Sequence, residues 1–302
     1  MSLAVNIAGV EFKNPVIAAS GTYGNGECYT DLYPIDRLGG ISCKGMTIEP
    51  RLGNPPPRIA ETPAGILNSV GLQNIGVHGF IEKYLPVLKK SDCVIIANVA
   101  GAKVEDYIAA AEALDSSNVD MIELNISCPN VKAGGAAWGI TKEGAGTVTA
   151  AVRKSTKKPL IVKLTPNVTD ITEIAKAVEA EGAGAVSLIN TLLGMRIDIN
   201  TRRPILRNNM DGLSGPAVFP VAVRMVRQCF KAVKIPIIGM GGISTWEDAV
   251  EIMLAGASAV QLGTALFTDP YSPLKVIDGL EKYMQKNGIE KLSDIVGQCE
   301  EW

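Results

Sequence analysis

Short, continuous apolar runs recur along the chain. Each is followed by a polar residue or glycine, and most then lead into a stretch with helical spacing. Eight runs stand out: PVIAA (15–19), GISC (40–43), VIIA (94–97), MIEL (121–124), LIV (160–162), AVSLI (185–189), PIIG (236–239) and AVQL (259–262). Runs that do not alternate with polar residues fit parallel strands buried on both faces. Between them, Val104, Ile108, Ala111 and Leu114 share one helical face over 104–114. Ile171, Ile174, Ala175 and Val178 do the same over 170–181, with Gly182 as a stop. Ser244 and Glu247 have capping-box spacing ahead of a helix at 245–255. Regular β-then-α alternation predicts a parallel sheet. Eight repeats favour a closed (β/α)₈ barrel, and no GxGxxG follows the first strand to support an open dinucleotide fold. The whole chain, 1–302, reads as one such domain.

Two connections are too long for turns: 44 to about 75, with Pro55-Pro56-Pro57, and 190 to about 215. A shorter glycine-rich stretch covers 132–139. On a barrel all three reach the C-terminal face, where active sites form. Just after the apolar runs stand Ser20, Lys44, Asn98, Asn125, Lys163 and Asn190, then Gly241-Gly242 and Gly263-Thr264. Six of the eight strands thus end in a side-chain hydrogen-bonder, which points to a shared binding site; turn chemistry is the alternative. The last two strands carry glycines that let backbone N–H groups approach an anion, at the place where barrels bind phosphate. Read without a ligand, they only make tight turns.

Composition narrows the chemistry. The 302 residues exceed the roughly 250 of a typical barrel. Lys+Arg minus Asp+Glu is 29 − 31 = −2, which leaves no field for nucleic acid. No apolar run approaches the roughly 20 residues of a membrane span, and Glu11 and Lys13 come too early for a signal peptide, so the default compartment is cytoplasmic. Six cysteines without a CxxC pair disfavour a disulfide framework or an iron–sulfur site in this chain. His78 is the only histidine, predicted on the surface of the helix after Gly76; no metal site is expected. Glu123 lies inside the fourth strand, so paired-carboxylate hydrolysis loses support. Lys44 and Lys163 could form a Schiff base, neutralise a phosphate or stabilise an anionic ring. Asparagines match the edges of a pyrimidine or an isoalloxazine. Cys43 reads as packing. Cys128 sits in the loop after the fourth strand, where a thiol of pKa about 8.5 can serve as a base, although the ordinary cysteine is a small buried hydrophobe.

Three motifs in order, Asn125-Ile126-Ser127-Cys128-Pro129-Asn130, the stretch from Asn68 to Asn74, and Gly239-Met240-Gly241-Gly242-Ile243, resemble the class 1 dihydroorotate dehydrogenases over nearly the whole chain. The loop from Cys128 to Gly139 and the segment from Asn190 to Met195 look like class 1B, the NAD-linked catalytic subunit. The resemblance implies FMN as cofactor and (S)-dihydroorotate as substrate, oxidised to orotate in pyrimidine synthesis. It implies that Cys128 takes the C5 proton while C6 gives a hydride to the flavin. It places the substrate against Lys44, Asn68, Ser69, Val70, Gly71, Leu72, Asn125, Asn190 and Thr191. It places the flavin against Ser20, Lys44, Gly45, Asn98, Asn125, Lys163, Ile189, Gly215, Gly241, Gly242, Gly263 and Thr264. Residues 132–139 would form a lid hinged at Gly134 and Gly135, with Trp138 over the substrate or, alternatively, packed in the structure. Class 1B also implies a partner subunit with FAD and a [2Fe-2S] cluster that passes electrons to NAD⁺, in a heterotetramer of two of each chain built on a homodimer of this one. The rival readings are a class 1A enzyme using fumarate, another pyrimidine-reducing flavoprotein, and a Schiff-base aldolase using Lys163.

Overall fold

The computed structural model describes residues 1–126 and 138–302. Eight parallel strands close a barrel in sequence order: β1 (Val16–Ala18), β2 (Gly40–Ser42), β3 (Val94–Val99), β4 (Met121–Asn125), β5 (Leu160–Lys163), β6 (Ala185–Leu188), β7 (Ile237–Met240) and β8 (Ala259–Leu262). Helices α1 (Gly76–Lys83), α2 (Val104–Asp115), α3 (Lys142–Ser155), α4 (Ile171–Ala180), α5 (Phe219–Ala232), α6 (Trp246–Ala255) and α7 (Ser272–Asn287) follow β2 through β8 in turn. The β1–β2 connection holds only a 3-10 turn, Ile35–Arg37. All eight predicted strands form. β3, β4 and β5 run further than their apolar runs and take in Asn98, Asn125 and Lys163. These three side chains are therefore fixed by a strand rather than by a loop.

Local chemistry sets the helix ends. Asp170 caps α4 by accepting from the Thr172 N–H (2.8 Å), and its predicted apolar face, Ile171, Ile174, Ala175 and Val178, is buried. Each such aliphatic side chain contributes about 1.5–3 kcal/mol when fully removed from water. The capping box of α6 falls one residue later than predicted. Thr245 Oγ1 accepts from the Asp248 N–H (3.2 Å), and Asp248 Oδ2 accepts from the N–H groups of Ser244 and Thr245. Ser244 is not the cap because its hydroxyl donates back to the Gly242 carbonyl (3.3 Å). His78 is exposed on α1, as predicted.

Inside the barrel the side chains alternate. At the N-terminal end, Ile17, Ile96, Met121, Ile161, Ala185, Ile238 and Ala259 form an apolar layer. A hairpin of Val5–Ile7 and Val10–Phe12 closes that end, packing Val5, Ile7 and Phe12 on this layer. Two residues further along their strands stand Ser42, Asn98, Glu123, Ser187 and Gln261, all buried and polar. The apolar runs thus hide one polar layer.

The two long connections are not loops. They meet above the barrel mouth in a four-stranded antiparallel sheet, ordered Leu192–Gly194, Asp211–Ser214, Gly65–Asn68, Ile59–Thr62. The register sets Leu192 opposite Leu213 and Gly212 opposite Asn68. Among the described residues no helix is long and apolar enough to cross a membrane.

Candidate active site

Between the barrel mouth and this cap sheet lies a cleft enclosing about 1290 Å³ of empty space continuous with solvent. Its floor carries Asn125, Lys163, Met240 and Gln261 from the ends of β4, β5, β7 and β8. Ser20, Lys44 and Gly45 form one side. Gly241, Gly242, Gly263 and Thr264 form the side over β7 and β8. Asn68, Val70, Gly71 and Leu72 hang from the cap sheet, and Ile189, Asn190 and Thr191 complete the wall after β6. Two lysines and no carboxylate line the cleft among the described residues.

Glycine is required at two of these positions. Gly242 has φ +80°, and a Cβ there would lie 2.8 Å from the Phe219 nitrogen. A Cβ on Gly45 would lie 2.9 Å from Asn98 Oδ1.

Three residues expected at the site stand behind its wall. Asn98 is fully buried one layer below the floor, donating from Nδ2 to Glu123 (2.6 Å) while its Oδ1 accepts from Asn125 (3.4 Å). Ser69 is fully buried; its N–H donates to the Arg58 carbonyl (2.7 Å) and its own carbonyl accepts from Asn54 Nδ2 (2.9 Å). Gly215, at φ +107°, packs against Gly65, where a Cβ would come within 2.5 Å. Trp138 packs on the hydrophobic core, its indole N–H donating to the Ala102 carbonyl (3.4 Å), and does not line the cleft. That is the packing alternative rather than a cover over the substrate. Cys128, Gly134 and Gly135 lie outside the described residues, as does the rest of the expected lid up to 137.

Further residues hold the walls in place. Asn74 holds the Val70–Leu72 turn: Nδ2 donates to the Leu72 carbonyl (2.7 Å), and Oδ1 accepts from the Gly76 N–H (2.8 Å). Asn167 holds the opposite wall, donating to the Thr191 carbonyl (3.0 Å) and accepting from the Leu193 N–H (2.9 Å). Thr264 donates to Ser214 Oγ (2.8 Å), tying β8 to the cap sheet. Asn74 ends a quoted motif, whereas Asn167 and Ser214 gave no sequence signal beyond their neighbourhood to strand ends.

Under the floor, Glu123 is fully buried and its carboxylate accepts four hydrogen bonds. Ser42 Oγ (2.6 Å) and Asn98 Nδ2 (2.6 Å) donate to Oε2; Ser187 Oγ (2.7 Å) and Gln261 Nε2 (3.0 Å) donate to Oε1. Burial pushes the carboxyl up. The Lys163 charge and the hydrogen bonds more than offset this and hold it below the ordinary range. Asp211, at the start of its cap-sheet strand, is also buried, but among the described residues only the Gly212 N–H (2.8 Å) and Asn208 Nδ2 (3.4 Å) donate to it. Burial raises it to about 6.

Residues 2–284 match the family model for dihydroorotate dehydrogenase. The chain belongs to that family. Dihydroorotate oxidation, expected from the three motifs, is the activity for which the family is named, and the closed barrel is the fold expected with it. The dihydroorotate dehydrogenase B (NAD(+)) catalytic subunit of Parabacteroides distasonis is 58% identical over 296 residues, 98% of this chain and 97% of the relative. That of Bacteroides thetaiotaomicron is 55% identical over 299 residues, 99% of each. That of a Thermoanaerobacter species is 53% identical over 297 residues, 98% of each. The resemblance to the NAD-linked class, rather than the fumarate-using one, agrees with these names.

Proposed function

We propose that the cleft binds FMN and (S)-dihydroorotate together and that this chain is the dihydroorotate-oxidising subunit of an NAD⁺-linked enzyme. The observation that carries the reading is Lys163, 5% exposed, on a floor flanked by Gly241, Gly242 and Gly263 and roofed by the Asn68–Leu72 turn. A buried cation beside asparagine amides suits a planar ring that accumulates negative charge. Gly241 and Gly242, both with positive φ, and Gly263 allow the backbone to approach a phosphate. The residues therefore fit FMN, which when bound supplies the two-electron acceptor for the substrate's hydride.

The chain's own residues do the rest. Lys44, in a cleft whose described lining holds no carboxylate, neutralises the substrate carboxylate. Asn68, Asn125, Asn190 and Thr191 present donors and acceptors to the pyrimidine edges, with the backbone of Ser69–Leu72 closing over it. Cys128 is the base for the C5 proton; among the described residues the cleft lining offers no carboxylate to replace it. Asn98 and Gly215 act from behind the wall, Asn98 by fixing Asn125. Electrons leave to a partner subunit carrying FAD and [2Fe-2S], with NAD⁺ as terminal acceptor. The assembly is a cytoplasmic heterotetramer of two of each chain on a homodimeric core, and residues 1–302 act as one FMN-binding domain.

The test is direct. Purified protein is expected to show a flavin spectrum, and Cys128→Ala to keep the flavin while losing about 10²–10⁴-fold in dihydroorotate oxidation. Near-normal turnover in that variant removes Cys128 from the role. A colourless protein that borohydride traps to a substrate through Lys163 returns the aldolase reading. The isolated chain is expected to reduce NAD⁺ slowly without its partner.

A further inference from the structure

The polar layer under the cleft floor contains one unsatisfied acceptor. Gln261 is 1% exposed and lines the floor, and its Oε1 has no hydrogen-bond partner among the described residues. Its other amide atom, Nε2, donates to Glu123 Oε1. That orientation is forced. Ser187 donates to the same carboxylate oxygen, and Asn98, whose own Oδ1 is occupied by Asn125, donates to the other. An ionised carboxylate accepts only. Turning the Gln261 amide over would set its oxygen against that carboxylate oxygen, cost Oε1 one of its two donors and leave the Gln261 oxygen itself buried against an acceptor.

We infer that Glu123 is a positioning residue: it locks the Gln261 amide with its oxygen at the cleft floor, where it accepts a hydrogen bond from N3–H of the flavin ring. The inference rests on the reading of the cleft as an FMN site. The oxidised isoalloxazine ring has a single N–H, at N3, on its uracil-like edge. An amide oxygen on the same cleft floor as Lys163 complements the donor and the carbonyl acceptors of that edge. Because the carboxylate lies at the hub of side chains from β2, β3, β6 and β8, the amide is held before any ligand arrives.

The experiment compares binding of FMN and of 3-methyl-FMN, which lacks the N–H, to flavin-stripped full-length protein by fluorescence quenching. The wild type is expected to bind FMN about tenfold more tightly than the methylated analogue, the size of one hydrogen bond to a buried acceptor. Gln261→Met, which keeps the volume and removes the amide, is expected to bind both alike. Glu123→Gln, which frees the amide to turn over, is expected to lose most of the preference, and the double variant to be no worse than Gln261→Met alone. Gln261→Met with the full preference intact overturns the inference. So does Glu123→Gln with wild-type preference. Should Glu123→Gln fail to fold, as judged by thermal unfolding of the stripped protein, Gln261→Met alone decides. A wild type that binds neither flavin overturns the FMN reading instead, and the two failures are thereby distinct.

Discussion

The barrel interior and the cap sheet each bury one carboxylate, and they treat it oppositely. Glu123 has no exposed surface, yet its carboxyl is held below the ordinary range. Asp211 is 1% exposed and is pushed up to about 6. Desolvation acts upward on both. The difference is in what faces them: four side-chain donors and the Lys163 charge in the barrel, against one backbone N–H and a long amide contact in the cap. Burial by itself therefore does not set the charge state; the converging strands do. A barrel brings residues from many strands to one axis, whereas a small open sheet offers only neighbours.

The largest expected effect comes from removing the cation on which the barrel half of this contrast depends. Lys163→Met leaves Glu123 buried without its counter-charge, and the flavin-free protein is expected to lose about 3–5 kcal/mol of stability at neutral pH. The sign with pH follows. In the wild type, Glu123 has a lowered folded pKa, so its contribution is present above the unfolded value of 4.5 and fades as pH falls below it. In the variant only the hydrogen bonds oppose desolvation, so the folded pKa moves up, and the loss is expected to be greatest at pH 8 and to shrink towards pH 5. Urea unfolding across that range checks it. A loss that is independent of pH would mean that Lys163 contributes packing rather than charge.

Asp211 gives the opposite slope. Its folded pKa is about 6 against an ordinary 3.8, so the folded state binds the proton more tightly than the unfolded state in between. Wild-type stability from this group is highest below 3.8 and declines as pH rises to 6. Relative to the wild type, Asp211→Asn is expected to gain up to about 3 kcal/mol between pH 4 and pH 7, from 1.36 kcal/mol per pH unit. Parallel pH–stability curves for the two proteins would show that Asp211 is ionised without cost.

The sequence made one side of this contrast legible and hid the other. The barrel strands announced themselves because parallel strands covered on both faces must be apolar, and Gly182 marked the end of one of the helices between them. Glu123 was visible as a polar intrusion in MIEL, but its partners at 42, 98, 187 and 261 belong to four other strands, and no local pattern joins them. Gln261 passed as part of AVQL; only its two-residue spacing from Ala259 on the inner face distinguishes it. The cap sheet was read as two long loops because each segment supplies only a short two-stranded pair, and the two pairs, more than a hundred residues apart, join through Asp211–Ser214 against Gly65–Asn68. Most of the cleft lining was legible because it stands where strands end. Asn98, Ser69 and Gly215 stand one layer behind the cleft lining, which the sequence could not show, since distance from a strand end does not say on which side of the wall a residue lies. Trp138 shows the same limit: an aromatic residue in a glycine-rich loop looks like a cover until its indole finds a carbonyl.

The smallest expected effect sharpens the comparison most, because it asks how many donors Glu123 needs. Ser187→Ala removes one hydrogen bond on Oε1 and leaves Gln261 Nε2 as the other donor there. A hydrogen bond to a charged group contributes about 1.5–3 kcal/mol, and the remaining donors keep the carboxylate solvated, so the expected loss is near the lower figure. Adding Lys163→Met to this variant should then cost more than the sum of the single changes, as the carboxylate loses its charge partner and a donor together. Strict additivity would mean that the donors and the cation stabilise Glu123 independently. The polar layer would then be a set of separate contacts, and the contrast with Asp211 would come down to the lysine alone.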